Sequence, residues 1–528
     1  MLHPQNRKSR QKGIYPLIAL CFAVVVIGAC TQHDAYSDKE IEMEAFSNMK
    51  APAFVFDVSQ VREHLRQLSS VDLSTVAADR KTRQFYSHTD HLLWIDRFGI
   101  DSRTDSLLAW LHTVSELGFA ESAFYVAEAE RDREKLRNLE FSDDDDINQL
   151  AARLEYHLTK ACLRYAYGQR YGFTNPSRIF NNLDIEKQDS TRRILRYRGL
   201  FDVAMETAAP SYDSLVLSKV ENGSIAEYLR QIQPSDKYYL QLKAMLSRAT
   251  TDDERNRIIS NMERGRWRLQ QSVPESGKRI VVNIPAFHLY AYDDANAVLD
   301  MRIACGAVAT KTPLLTSAVE WMEVNPQWVI PKSIIEKDVV RHVGDTAYFA
   351  RNHYDIYDKS TNKTVDVQSV SREMMLSGKY RIAQQSGSHN SLGRIVFRFK
   401  NAFSVYLHYT SSPGVFQRET RAVSHGCVRV AKPFELANFV LDNPDEWLLD
   451  RIRISMDIAP ETDRGRSYLR AHSNEKEHKL IGYVPVKPHV PLYIIYNTLW
   501  PDETGELRTW PDVYGYDRVI LEHLKTYM

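Results

Sequence analysis

A change of rhythm near residue 275 divides this chain and limits what it can fold into. From about residue 50 to 270 the apolar residues return with a helical period. Leu107, Leu108, Leu111 and Val114 share one helix face, with Gly118 as the stop. Leu150, Leu154, Leu158, Cys162 and Tyr165 form a second face, with Gly168 beyond it. The acidic run 143–146 before that second helix reads as a solvated loop and cap, because carboxylates favour the positive end of a helix. From Lys278 onward the period becomes two. Residues 278–283 read as a strand, 287–292 alternate as a half-buried strand does, and Asp293-Asp294-Ala295-Asn296 turns the chain. Further strands are expected at 298–305, 323–329, 395–399 and 405–408. The pattern predicts an α+β chain, with a helical domain first and a mostly-β domain after it.

Between the later strands, residues 332–385 are polar and mixed, with a helical opening at Ser333-Ile334-Ile335-Glu336-Lys337. That stretch is too long for a plain sheet connection, so it reads as an inserted lid subdomain. Residues 433–440 read as a helix, 462–480 as charged and loose, and 490–496 with the turn at Thr504-Gly505 as further strand. The expected organisation is a signal segment at 1–29, a tether at 30–50 and a helical domain at 51–275. A β-rich domain at 276–460 carries the insertion, and a C-terminal extension at 461–528 packs on it.

Lys plus Arg and Asp plus Glu each number 68, a balance that argues against a general nucleic-acid binder. Arg7, Lys8, Arg10 and Lys12 precede an uncharged apolar stretch at 14–27. The stretch is shorter than the roughly 20 residues of a membrane span, which favours a signal peptide. Its ending, Ile27-Gly28-Ala29-Cys30, resembles a bacterial lipoprotein signal. That resemblance implies cleavage before Cys30 and lipid on its sulfur and new amino end, hence a membrane tether. An ordinary signal or a short anchor is the alternative, and each of these readings exports the chain. Thr31 is not an acidic retention residue, which points to the outer membrane. Cys21 lies in the removed segment, so Cys162, Cys305 and Cys427 remain. An odd number leaves at least one thiol free or paired between molecules.

Of these, Cys427 has the chemical setting, in Ser424-His425-Gly426-Cys427-Val428-Arg429. A nucleophilic cysteine needs a base or a positive field nearby. His408 ends the apolar run Val405-Tyr406-Leu407, and Tyr406 and His408 share a strand face. A base on a strand end and a nucleophile on a returning turn can reach each other. Gly426 leaves the backbone bare beside the sulfur, so the Gly426 and Cys427 amides are candidate oxyanion donors. Arg429 supplies a charge that could lower the thiol pKa or hold a substrate carboxylate. A core cysteine with a structural histidine is the plain alternative. Zinc on His408, His425 and Cys427 is another, although the chain lacks C-x-x-C.

His408 followed by Ser424-His425-Gly426-Cys427 and Arg429 resembles the signature of L,D-transpeptidases with a YkuD-type catalytic domain. Val282-Asn283-Ile284-Pro285, Lys311-Thr312-Pro313, the run Val324 to Pro331, Asn390-Ser391-Leu392-Gly393 and the tail from Tyr493 to Asp517 resemble its large, YcbB-like branch. Trp94-Ile95-Asp96 and Asn261-Met262-Glu263-Arg264 resemble that branch's helical scaffold. The resemblance covers roughly residues 80 to 520. It implies that Cys427 attacks a donor tetrapeptide stem of the cell wall, releases D-Ala and passes the acyl group to a neighbouring stem's amine. It implies His408 as base and then acid, the Tyr409 main-chain carbonyl as its orienting group, and the turn amides as the oxyanion hole. Ser424, His425, Arg429 and Tyr406 become substrate-binding or shaping residues. No cofactor or metal is implied, and carbapenem-type β-lactams are expected to acylate Cys427. Three departures stand out. Tyr409 occupies a position often held by Gly or Asp. The lipoprotein-like start replaces an uncleaved helix. The peptidoglycan-binding module expected before Asn261 is missing.

Overall fold

A computed structural model describes residues 51–528 apart from 97–98, 272, 274–275, 476 and 503. The signal segment, Cys30 and the tether lie outside the described residues. A helical domain comes first and a β-rich domain follows, as the change of period requires.

In the helical domain α1 (Val58–Val71), α2 (Ala77–His88) and α3 (Val126–Asn138) pack around the long α4 (Ile147–Tyr171). Asp146 caps α4 by accepting from the Asn148 and Gln149 amides, both within 2.9 Å. Gly168 does not end this helix. A Cβ there would lie 2.2 Å from the Phe173 ring, so the glycine makes room for a side chain, and Gly172 is the cap. Residues 247–251 alone join the helix Lys237–Leu246 to α5 (Asp252–Arg266).

Nine strands define the β-rich domain: β1 (Lys278–Asn283), β2 (His288–Asp293), β3 (Asn296–Gly306), β4 (Leu314–Val324), β5 (Ile395–Phe399), β6 (Leu407–His408), β7 (Ala422–Ser424), β8 (Val428–Val430) and β9 (Tyr483–Ile495). Among the described residues, they belong to a ten-stranded sheet ordered β5-β6-β8-β3-β2-β1-β9-β4. Because β5 also pairs with β4, the sheet closes on itself as a barrel. Ile280, Val282, Leu289, Met301, Ile303, Phe397, Leu407, Val428 and Ile494 fill its interior. The helical domain adds Phe201–Asp202 in parallel beside the start of β4.

Four expectations need correction. The stretch 323–329 is not one strand. β4 ends at Val324, and Asn325, at a φ of 47°, breaks the run before Trp328–Val329. Residues 462–480 are not wholly loose, because Thr462 accepts from the Gly465 amide and caps a helix at Asp463–Ala471. The C-terminal segment is no mere extension. β9 sits between β1 and β4 inside the barrel, its sequence signal blunted by Pro485, Pro488 and Pro491. Beyond it α6 (Tyr516–Leu524) packs on α5. Finally, the insertion starts earlier than 332, since its sheet begins at Trp328–Val329 and ends at Tyr380–Gln384. It has its own four-stranded sheet and its own core of Ile330, Ile335, Val339, Phe349, Ile356, Val370, Met375 and Ile382.

Candidate active site

β6 and β8 lie side by side and parallel, with Leu407 opposite Val428 and His408 opposite Arg429. Leu407, Val428 and Val430 point into the barrel, so alternation turns Tyr406, His408, Cys427 and Arg429 to its outer face. The register continues one step back to set Cys427 opposite Tyr406, whose carbonyl accepts from the Val428 amide at 3.0 Å.

The turn before the sulfur is held from several sides. Gly426 has a φ of 123°, a conformation glycine tolerates best. A Cβ there would meet nothing closer than 3.8 Å, so backbone conformation rather than crowding requires the glycine. Ser424 Oγ donates to the Cys427 carbonyl at 2.6 Å and accepts from the Gly426 amide at 3.1 Å. Thr312 Oγ1 donates to the Gly426 carbonyl and accepts from the Gly306 amide, both at 2.8 Å. Thr310 Oγ1 donates to the Ser424 carbonyl at 2.7 Å. Tyr514 OH donates to the Gly306 carbonyl at 2.6 Å. The helical domain grips the same loop, since Lys311 Nζ lies 2.6 Å from Asp184 and Arg198 donates to the Ala309 carbonyl at 2.5 Å.

Burial sets the protonation of both groups, while Arg429 pulls the thiol down as its charge requires. Burial pushes the Cys427 thiol up, and the Tyr406 main chain, Arg398 and Arg429 pull it down by less. Arg429 alone therefore does not make a resting thiolate. Burial, helped by Arg429, holds His408 near 4, while the Tyr409 and Leu392 main-chain groups favour the charged ring. Its Nδ1 is buried and has no hydrogen-bond partner among the described residues. The site at rest thus holds a neutral thiol and a neutral imidazole, and the imidazole is able to accept a proton. The two candidate oxyanion amides differ in what they already bond. The Gly426 amide is already occupied by Ser424 Oγ, which leaves the Cys427 amide and the Tyr406 main chain beside the sulfur.

His425 is exposed while His408 is buried, and the described residues hold no group of three His, Cys, Asp or Glu placed for a metal ion. Cys162, Cys305 and Cys427 are all unpaired. Sequence reasoning missed Thr310, Thr312, Ser404, Arg398 and Glu323. The Ser404 carbonyl lies 3.9 Å from Cys427 Sγ, and Ser404, Tyr406, Arg398 and Glu323 line a cavity of about 590 Å³. Arg398 alone carried a signal, as a charge at an outward position of the apolar strand Ile395–Phe399.

Residues 277–454 match the family profile of an L,D-transpeptidase catalytic domain, YkuD, and residues 80–246 match that of a Scaffold domain. A curated protein of Haemophilus influenzae (strain ATCC 51907 / DSM 11121 / KW20 / Rd), named "Putative L,D-transpeptidase", is 28% identical over 306 residues. That stretch is 58% of this chain and 58% of the relative, so the match spans little more than half of either.

Proposed function

We propose that this chain, which belongs to the L,D-transpeptidase family with a YkuD catalytic domain behind a Scaffold domain, cross-links cell-wall stem peptides through a thioester on Cys427. The observation that carries the reading is the placing of Cys427 and a buried, neutral His408 on one outer face of two paired strands. The thiol proton passes to His408 as sulfur bonds to the carbonyl carbon of the donor's third residue, a diamino acid. The carbonyl electrons move onto oxygen, beside the Cys427 amide and the Tyr406 main chain. Their return breaks the bond to the terminal D-Ala nitrogen, which takes the proton from His408. The side-chain amine of a second stem then attacks the thioester and yields a proton through His408 to the departing sulfur. The product is a 3→3 cross-link.

On this reading the chain is exported and tethered by lipid at Cys30 on the periplasmic face of the outer membrane. Its partners are a donor tetrapeptide stem and an acceptor stem. No helix among the described residues is long and apolar enough to cross a membrane. To test the reading, the purified full-length protein is incubated with tetrapeptide-stem muropeptides and the products are weighed. Cross-linked dimers with loss of one Ala are expected. Tripeptide alone would make the chain an L,D-carboxypeptidase, with water as the acceptor. No product and no adduct on Cys427 would make it a silent wall binder.

A further inference from the structure

The strand register lines up two rows across the outer face of the barrel. Val396 lies opposite both His408 and Glu323, Phe397 opposite Leu407 and Met322, and Arg398 opposite Trp321. Joined to the β6–β8 register, one row reads Cys427, Tyr406, Arg398, Trp321, and the next reads Arg429, His408, Val396, Glu323. Neighbouring strands are about 4.8 Å apart, so the Arg398 backbone lies two strands, about 10 Å, from that of Cys427. Its side chain closes part of that gap by stacking on Tyr406, with the guanidinium carbon 4.0 Å from the ring centroid. Glu323 accepts from Arg398 Nε and from Nη2, each at 3.0 Å.

This pair is only partly covered, at 19% exposure for Arg398 and 32% for Glu323, and it lines the cavity together with Tyr406 and with Ser404, whose carbonyl lies 3.9 Å from Cys427 Sγ. The pair ties β5 to β4 where the barrel closes, and it stays open enough to meet a ligand from the cavity. Each partner also has capacity left. A guanidinium carries five N–H donors, of which Glu323 takes two, and a carboxylate keeps free lone pairs on both oxygens. A simple anion placed there would meet Glu323, and a simple cation would meet Arg398. Only a ligand with both charges on adjacent atoms matches the pair.

We infer that Arg398 and Glu323 bind an α-amino-acid head, an ammonium and a carboxylate on one carbon, at the side-chain end of the donor stem's diamino acid. The inference rests on the transpeptidase reading and extends it to donor choice. With the third-residue carbonyl at Cys427, that side chain runs along the first row, over Tyr406, and its charged end arrives at Arg398. The carboxylate takes the free guanidinium donors as a charge-assisted fork, and the ammonium donates to Glu323.

The test compares three donor stems that differ only at the third residue: diaminopimelate, diaminopimelate with its head carboxylate amidated, and lysine. The readout is the rate of thioester formation on Cys427 in the full-length protein, followed by intact mass. The natural chain is expected to favour the first stem at least tenfold, mainly through KM, as loss of a charge-assisted hydrogen bond implies. Arg398→Gln should reduce that preference to within about twofold and Arg398→Lys should restore part of it. Glu323→Gln should penalise a stem whose head ammonium is acetylated less than the natural chain does. A thermal melt that matches the natural chain's reports that each variant keeps its fold, while iodoacetamide alkylation of Cys427 is expected to slow in Arg398→Gln because Arg398 lowers the thiol pKa. Equal rates on all three stems, or an undiminished preference in folded Arg398→Gln, would overturn the inference and leave the transpeptidase reading intact. No adduct from any stem would overturn both.

Discussion

The two faces of one barrel wall each carry a cysteine, and they treat the thiol differently. Cys305 on β3 points inward. It is wholly buried, its sulfur lies 3.5 Å from Tyr514 OH, and burial pushes its thiol up to about 12. Cys427, one strand away, points outward. Burial raises it as well, but the Tyr406 main chain, Arg398 and Arg429 oppose that rise. Strand parity decides which thiol is enclosed in the barrel, with Tyr514 OH as its polar neighbour, and which faces outward toward Arg398 and Arg429. The comparison teaches that a nucleophile here is made by the face it occupies, since both cysteines sit in the same fold.

Removing each element in turn breaks the comparison by graded amounts. Cys427→Ala should abolish turnover, a loss of about 10⁴-fold or more, with an unchanged far-UV spectrum; residual cross-linking in the muropeptide assay would mean the nucleophile lies elsewhere. His408→Gln should cost about 10²- to 10⁴-fold in kcat, the range of one general acid–base. In the natural chain the acid limb of kcat/KM should fall near pH 4 rather than 6.5, because His408 is the base only while neutral. A midpoint at 6.5 would show an imidazole open to water.

The same depression affects stability with a definite sign. The folded imidazole titrates near 4 and an unfolded one near 6.5. The contribution of His408 is therefore fully present above about pH 6.5 and is lost as pH falls towards about 4, by about 3 kcal/mol. Urea unfolding at pH 7 and 4.5 should show a smaller drop in His408→Gln than in the natural chain. Equal drops would place the proton uptake elsewhere.

Smaller effects sharpen the contrast. Thr312→Val leaves the Gly306 amide and the Gly426 carbonyl without their partner. It should cost about 1–3 kcal/mol of stability and about tenfold in kcat, read from thermal melts and single-turnover acylation. At the far end, Cys305→Ala should trim stability by about 1 kcal/mol and leave turnover alone. At pH 8 an alkylating reagent should modify Cys427 and spare Cys305 and Cys162. Equal labelling of all three would erase the distinction between the two faces.

Much of this was legible along the chain because the signals are local. Period alone separated the helical domain from the β-rich one, and parity in Val405 to His408 set Tyr406 and His408 on one face. Asp146 read as a cap and does cap α4. Other features left weak traces. Pro485 and Pro488 hid the first part of β9, whose second half at 490–496 did read as strand. Thr310 and Thr312 look like ordinary loop residues until the turn at Ser424 folds against them. Glu323, at the end of a mixed polar strand, shows nothing of its meeting with Arg398.

The amino-acid order by itself determined which groups could react, a cysteine on a glycine turn and a histidine at a strand end. Only the tertiary structure decided their protonation, because burial depends on what packs over them. The barrel also decided which amides stay free at the turn and which charges share a row with the sulfur. Register among β4, β5, β6 and β8 brings those groups together, and it is set by pairing between segments far apart in the chain.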